Sequence, residues 1–580
     1  MNILLGLCYF SPVVAAITLS LTDQWQALNA TVGGRLHAAT PFALPCFSKY
    51  NNQSVEVDEG ACSTIQANYT NPQYRLTSFS ANMNPQYETC MATHSQCLLN
   101  SANSKDTLAT NGISCDQGQI SPFYIDVRTP EDVQAAYKFS ASTKIPLSIK
   151  NTGHDYIGRT RRAGSLGIWT HNLDSMRYHT NFTPDSCNGS FRAITVGAGV
   201  TFEQVYKFAD DNDAMFVGGY AQSIGASGGW LMGGGHSVLS PSLGLGVDRV
   251  VRVSYFASTA QHWLYHSFSF KSRLSLQMVS SARPTHANIQ IFSGPCAEGG
   301  GGTFGVVLES THLVEQRIPI QVVNITYAPA EAQLQRYFEI LVNSSTSWSE
   351  LGWGGHITSR GLIYVNPQLS LADATESMQQ IAEFARANGG SATFETLPSW
   401  YDFFDRFILQ VQAAVGNLRI LGSRLIPKAN FETKAGRVQL VAHLLNQTAM
   451  FGLPYIPVVT PISYTYIPGT TSLSPAWRTA LWHLGTSTTW AYNSTIDEIR
   501  GKFSSVHDFV DKNLRTLAPD SGSYLNEGDV YETDYEVAYW GANYARLLEV
   551  KIKYDPMGLL DCWNCVGSKG PSEFPCYPVL

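Results

Sequence analysis

The chain has 580 residues, 44% of them hydrophobic and 14% charged, and a formal net charge of −7. That length predicts two or three domains with enough apolar residue for large cores. A mildly acidic chain without a basic block argues against nucleic acid and anionic membrane as partners, and past the first residues no apolar run is long enough to cross a bilayer.

Met1 to Ala16 reads as a secretory leader. Its apolar core is Ile3 to Ala15, and Val14-Ala15-Ala16 is a small-residue cleavage site, although no Lys or Arg precedes the core. Nine Asn-x-Ser/Thr acceptors, at Asn29, Asn52, Asn68, Asn181, Asn188, Asn324, Asn343, Asn446 and Asn493, agree with a secreted glycoprotein. Of eleven cysteines, Cys8 falls in the leader, and the even remainder predicts disulfides. Cys46, Cys62, Cys90, Cys97 and Cys115 cluster within residues 17–117, a polar, Cys-rich arm of weak periodicity that is expected to be tied by them. Cys562 and Cys565 form half of a zinc pattern with no second half, so they are expected to pair with each other and no metal site is predicted.

Regular structure is predicted from Phe123 to Val127 as a strand. A helix follows, with Thr129 as cap, Pro130 first and acids in its first turn, turning Val133, Ala136 and Tyr137 inward. Ile145 to Ile149 is the next strand, and it feeds into Lys150-Asn151-Thr152-Gly153-His154-Asp155. Leu166–Trp169 and Ala193–Val196 are further strands, and Thr201-Phe202-Glu203-Gln204 is a capping-box start that faces Val205, Phe208 and Ala209 inward. A second glycine-rich stretch, Gly218 to Ser237, contains Gly219, Ser223, Gly225, Gly228 and Gly229. Two such stretches present many backbone N–H groups, a histidine in a tight turn and nearby cations (Lys150, Arg159, Arg161, Arg162), which suits a large anionic cofactor. From about residue 317 strands are predicted at 321–327, 361–365, 391–396, 423–427 and 461–467, with helices at 329–341, 372–387 and 496–517.

These motifs resemble the flavin-linked oxidases of the vanillyl-alcohol-oxidase / p-cresol-methylhydroxylase type, in the berberine-bridge-enzyme-like branch and among its secreted fungal oxidases similar to isoamyl alcohol oxidase. The C-terminal Tyr539-Trp540-Gly541-Ala542-Asn543-Tyr544-Ala545-Arg546-Leu547-Leu548 is similar to that branch's terminal signature. The resemblance implies an α+β fold: a two-part FAD-binding domain (118–316) and an antiparallel-sheet substrate domain covered by helices (317–530). A segment at 531–580 would return to the FAD domain. It implies FAD bonded to His154, with Lys150, Asn151, Thr152, Gly153, Asp155, Gly219, Ser223, Gly225, Gly228, Gly229 and Asn543 around the cofactor. Some members carry a second bond from a cysteine. Here that place falls at Ala221, so one link is expected.

Other motifs are set aside. Gly197-Ala198-Gly199 and Gly244-Leu245-Gly246 lack the third glycine of a dinucleotide fingerprint, and no Lys-Ser/Thr follows a glycine run. Gly225-Ala226-Ser227-Gly228-Gly229 matches a hydrolase elbow, but glycines crowd the place where its helix should start. His262 and His266 have zincin spacing without the glutamate. Residues 249–297 hold no Asp or Glu, unlike the family, and Ile291 to Glu298 read one base out of frame can encode Leu-Phe-Trp-Ala-Leu-Arg-Gly. With a splice-like GTAAGT possible at Val253-Ser254, this predicts a retained intron or frame error; a genuine segment would instead replace one strand of the flavin domain.

The implied activity is oxidation of an alcohol or related small secondary metabolite, with dioxygen as acceptor and hydrogen peroxide as product. A dehydrogenase with another acceptor, or a non-enzymatic secreted glycoprotein, would be the alternative. The proton acceptor is left open among Tyr364, Tyr464, Tyr466 and Tyr539.

Overall fold

A computed structural model of the protein describes residues 23–184, 189–257, 264–267 (backbone only), 301–411 and 415–580. The leader, Asn188, His262, Cys8, Cys187, Cys296 and most of 249–297 lie outside the described residues.

The helix predicted at Pro130 forms where its cap signals place it. The Asp132 carboxylate accepts from the N–H groups of Arg128 and Thr129 at 2.9 and 3.0 Å, and the helix runs Pro130–Thr143. It lays Val133, Ala136 and Tyr137 on Ile125, Leu147, Leu166 and Ile168. Those residues belong to a four-stranded sheet ordered Leu36–Ala38, Phe123–Asp126, Leu166–Trp169, Leu147–Lys150, with only the first pair antiparallel. The glycine-histidine turn leaves the end of Leu147–Lys150, so a strand buried in the sheet fixes its root.

A second, antiparallel sheet runs 264–267, Val250–Phe256, Val306–Leu313, Phe191–Gly197, Met176–Phe182. The strand that a genuine insertion would replace is in place as far as Phe256. Val250, Val251, Val253, Tyr255 and Phe256 are buried, and the pairing continues past Val253-Ser254 to Phe256. Residues 258–263 and 268–300, where the rest of that expectation falls, lie outside the described residues.

The third sheet is antiparallel, in the order Ser391–Leu397, Ile320–Thr326, Gly361–Asn366, Gly354–Thr358, Ile456–Val458. A long two-stranded ribbon, Arg419–Pro427 with Ala480–Thr489, joins it through a Tyr455–Gly485 bridge. Helices Leu334–Glu350 and Gln379–Ala387 pack Tyr337, Phe338, Leu341, Ile381 and Ala385 into the core of this sheet. The predicted strand 461–467 is instead a turn, in which Tyr464 packs on Gly244 and Tyr466 lies under the Arg478 guanidinium at 4.4 Å. Ala480–Thr489 and the helix Lys434–Phe451 were not foreseen. That helix buries only Leu440, Val441, Leu444 and Gln447, a weak stripe for its length.

Disulfides join Cys46–Cys62, Cys97–Cys115, Cys562–Cys565 and, across 486 residues, Cys90–Cys576. The last ties the arm to the C-terminal tail. Around it, Tyr87 of the arm and Tyr577 of the tail donate to the carbonyls of Tyr156 and Ile157 at 2.7 and 2.5 Å. Both ends of the chain thus brace the turn just past His154, and a Cβ at Gly158 would strike both rings.

Candidate active site

The two glycine-rich stretches are stitched together by side chains of the first. Asn151 Nδ2 donates to the Ser227 carbonyl at 2.8 Å, Thr152 Oγ1 accepts from Gly225 N at 3.4 Å, and His154 Nε2 lies 2.8 Å from Ser223 Oγ. Gly153 has φ +91°, a conformation that disfavours a side chain, and a Cβ at Gly225 would sit 2.6 Å from Asn151 Nδ2. These contacts place His154, Asn151, Thr152, Gly153, Asp155, Gly219, Ser223, Gly225, Gly228 and Gly229 on the wall of one cavity of about 840 Å³. The N–H groups of Ala221, Gln222 and Ser223 donate to no acceptor among the described residues, and Asn84 Nδ2 and Asn151 Oδ1 are buried there without a partner. Free N–H groups on a glycine-rich loop and unmatched amides in a cavity of this size fit a phosphate-bearing dinucleotide such as FAD.

Two predicted contacts are not brought there. Lys150 Nζ is buried and donates to the carbonyls of Ser78, Phe79 and Ala81 at 2.7, 3.0 and 2.5 Å, so its charge holds the arm rather than a cofactor. Burial and the nearby Arg161 push this ammonium well below its ordinary range. Asn543 Nδ2 donates to the Leu473 carbonyl at 2.8 Å, away from the cavity. The expected cations are likewise spent on structure. Arg161 donates to Phe79 O and Asn82 Oδ1, and Arg162 pairs with Glu573. Arg159 alone of the four lines the cavity, paired with Asp155 at 3.0 Å, whose carboxylate also accepts from the N–H groups of Ile157 and Thr160. The arm, which composition left without a role, adds Pro72, Met83 and Asn84 to the wall, and Met83 N donates to the Gly153 carbonyl at 3.0 Å.

The hydrolase reading fails for a different reason than glycine crowding. A one-turn helix, Gly229–Met232, does follow Ser227, but Ser227 is fully buried, and its hydroxyl accepts from Ser310 Oγ at 2.8 Å.

The opposite wall comes from the ribbon, the third sheet and residues 524–527. None of Tyr364, Tyr464, Tyr466 and Tyr539 reaches it. Tyr364 sits in the sheet's core, and Tyr539 donates to the Asp529 carbonyl at 2.9 Å. In their place stand Tyr220, Tyr455, Tyr524, His236, His356, His483 and Glu527. For the ribbon's share of this wall the signal is period-2 alternation: His483, Gly485 and Ser487 on one strand, and Arg419, Leu421 and Ser423 on the other, with Ser423 opposite Gly485 and Leu421 opposite Ser487, share one face. Tyr455 OH lies 2.6 Å from His356 Nδ1, and the Tyr220 ring is 4.2 Å from that imidazole. Asn526 crosses to the first wall, donating to the His154 carbonyl at 3.2 Å and accepting from Arg159 at 2.6 Å. The histidine turn is thus met by Asn526, just ahead of the returning segment, and by that segment's Tyr577 rather than by Tyr539 or Asn543.

Burial sets the charge states. It lowers His154 to about 4, helped by the Lys150 charge, His483 to about 4, and His356 to about 3, so all three are neutral near pH 7. The same burial raises Tyr220, Tyr455 and Tyr524 above the ordinary phenol range. For Glu527 burial acts upward, but His236 and His483 outweigh it, and the carboxyl lies below its usual value.

Residues 122–261 match the FAD binding domain family, and residues 523–561 match the berberine and berberine-like family. The FAD-linked oxidoreductase ffsJ of Aspergillus flavipes is 38% identical over 96% of this chain and 94% of its own. The FAD-linked oxidoreductase cheF of Chaetomium globosum is 35% identical over 97% and 89%. Among solved structures, the VAO-type flavoprotein MtVAO615 of Myceliophthora thermophila C1 superposes with a TM-score of 0.80 at 22% identity, covering 94% of this chain and 95% of that one. The glucooligosaccharide oxidase of Acremonium strictum gives 0.58 at 18%, over 77% and 92%. Membership sets aside the non-enzymatic alternative: the chain belongs to the fungal FAD-linked oxidoreductases, with the fold of VAO-type flavoproteins and a berberine-like C-terminal segment, and it is an enzyme of that family.

Proposed function

We propose that the protein is an oxidase that holds FAD by a single covalent bond through His154. It would oxidise an alcohol carbon of a small secondary metabolite to a carbonyl and pass the electrons to dioxygen, giving hydrogen peroxide. The observation that carries this reading is the His154–Ser223 contact inside the stitched double loop. With Nε2 engaged by Ser223 and the ring neutral, Nδ1 is the nitrogen left to carry the flavin. The glucooligosaccharide oxidase of Acremonium strictum carries a 6-S-cysteinyl, 8α-N1-histidyl FAD. Here Ala221 lines the cavity where a second link would need a thiol, so one bond is expected.

The flavin, when bound, supplies the two-electron acceptor. The chain's residues do the rest. Asn151, Thr152 and the 219–229 loop would cradle the cofactor, and Asn526 fixes the histidine turn. Phe407, Ile408, Phe451, Leu453 and Pro454 give the cavity an apolar side that keeps water from a reacting carbon and favours an apolar substrate body. Phe407 and Ile408 are presented by a π-type turn, Asp405–Leu409, a distortion common at functional sites. Export as a glycoprotein is part of the reading: none of the eight described acceptor asparagines is buried, and four disulfides form among the described residues.

Acid precipitation of purified protein tests the core of the reading. The yellow colour should stay with the pellet, and His154→Ala should release it. Turnover of alcohols should give peroxide in step with oxygen consumed, and reduction of the flavin without peroxide would move the enzyme to the dehydrogenases.

A further inference from the structure

Glu527 follows Asn526, the residue clipped to the His154 carbonyl, and lines the same cavity. Its Oε1 lies 3.6 Å from His236 Nε2 and its Oε2 lies 3.7 Å from His483 Nδ1, both beyond direct hydrogen bonding. The proton positions follow from Ser423. Its single hydroxyl hydrogen goes to the Glu527 carbonyl at 2.7 Å, so toward His483 Nε2, also at 2.7 Å, it accepts. His483 therefore carries its hydrogen on Nε2, and the neutral ring turns a bare lone pair at Nδ1 toward a carboxylate. That nitrogen is buried without a hydrogen-bond partner. Two acceptors facing each other across such a gap are unfavourable until a donor enters.

Elsewhere in the cavity, Tyr455 OH and His356 Nδ1 are hydrogen-bonded to each other at 2.6 Å. Asp155 is filled by Arg159 and two N–H groups, and Asp561 lies on the part of the wall formed with Leu560 and Cys562.

We infer that the reacting hydroxyl of the substrate docks in the gap between His483 and Glu527 and gives its proton to His483 Nδ1, with the Glu527 carboxylate stabilising the imidazolium. This rests on the alcohol-oxidation reading above. The O–H bond breaks with its proton to Nδ1. The carbinol C–H bond breaks with its electron pair leaving as hydride to the oxidised flavin, and C–O becomes C=O. The groups facing Glu527 are His236, His356, His483, Tyr156, Tyr455 and Tyr524, with Arg159 close to Tyr156's neighbour Asp155.

The test uses flavin-loaded holoenzyme and two readouts. Phenol serves as a hydroxyl probe, its binding followed by the change in flavin absorbance across pH. In the wild type affinity should fall as the probe ionises, because the phenolate has no hydrogen for Nδ1 and meets the Glu527 charge. Glu527→Gln should keep its acid-stable flavin and show a smaller fall, set by the lost hydrogen alone, and an unchanged pH profile in Glu527→Gln overturns the docking site. The second readout is anaerobic flavin reduction by a panel of alcohols. His483→Gln should slow it by about 100-fold or more, the range for a lost proton acceptor. Wild-type rates in His483→Gln overturn the proton transfer. If no alcohol reduces wild-type flavin, the alcohol reading fails, and the phenol profile still decides the docking site.

Discussion

The two walls of the cavity are built by different rules. The histidine wall is local: Asn151 to Asp155 and Gly219 to Gly229 are short continuous stretches, and three side-chain contacts join them. The facing wall is assembled from His356, Tyr455, His483 and Glu527, which come from four separate parts of the chain. A local wall depends on turn geometry, so its failures should be all-or-none. An assembled wall depends on register and long-range packing, so its failures should be graded.

The sharpest break is His154→Ala, which should abolish acid-stable flavin completely, read as colour in the precipitated pellet. Next is His483→Gln on the facing wall, with about a 100-fold loss in the rate of flavin reduction and colour retained. Colour lost in both variants would erase the distinction between the walls. A third variant probes what lies behind the first wall. Lys150→Met leaves three buried carbonyls without their donor. At about 1–3 kcal/mol each, it should lower stability by several kcal/mol, seen as a reduced midpoint in denaturant, far more than a cofactor contact at the surface would. Cys90→Ser with Cys576→Ser should cost about 2–5 kcal/mol and lower the melting temperature, and covalent flavin content should drop with it, because Tyr87 and Tyr577 brace the histidine turn from the two joined ends.

A pH effect reaches both walls and the core behind them. His154, His443 and His483 are lowered by burial to about 4, and His312 and His356 to about 3. A depressed folded-state value means that the unfolded chain takes protons first. Their contribution is complete above about pH 6.5 and is lost as pH falls toward 4. Urea midpoints of flavin-free protein should therefore decline over that window, and a flat profile would contradict the buried, neutral imidazoles.

Much of the first wall was legible because its signals are short-range. Cap residues at Thr129 and Thr201, a strand ending at Lys150 and glycines at fixed offsets each act within a few residues. Legibility failed where a side chain had two possible uses. Lys150 and Arg161 read as cofactor cations, yet their acceptors are carbonyls of the arm some 70 to 80 residues earlier in sequence. The four tyrosines proposed as proton acceptors were chosen by type, and packing turned them into the core, into a turn or toward a carbonyl. Glu527 was passed over because nothing in Tyr524-Leu525-Asn526-Glu527 distinguishes its carboxylate from a solvated one.

By itself the order of residues determined the flavin class, the histidine turn and the strand–helix–strand run that leads into it, since cap and turn chemistry are properties of neighbours in the chain. Only the tertiary structure decided which polar groups face the cavity and which brace it. That choice depends on burial and on partners hundreds of residues away, and a lone pair such as that of His483 acquires its meaning only from the serine and the carboxylate packed on either side.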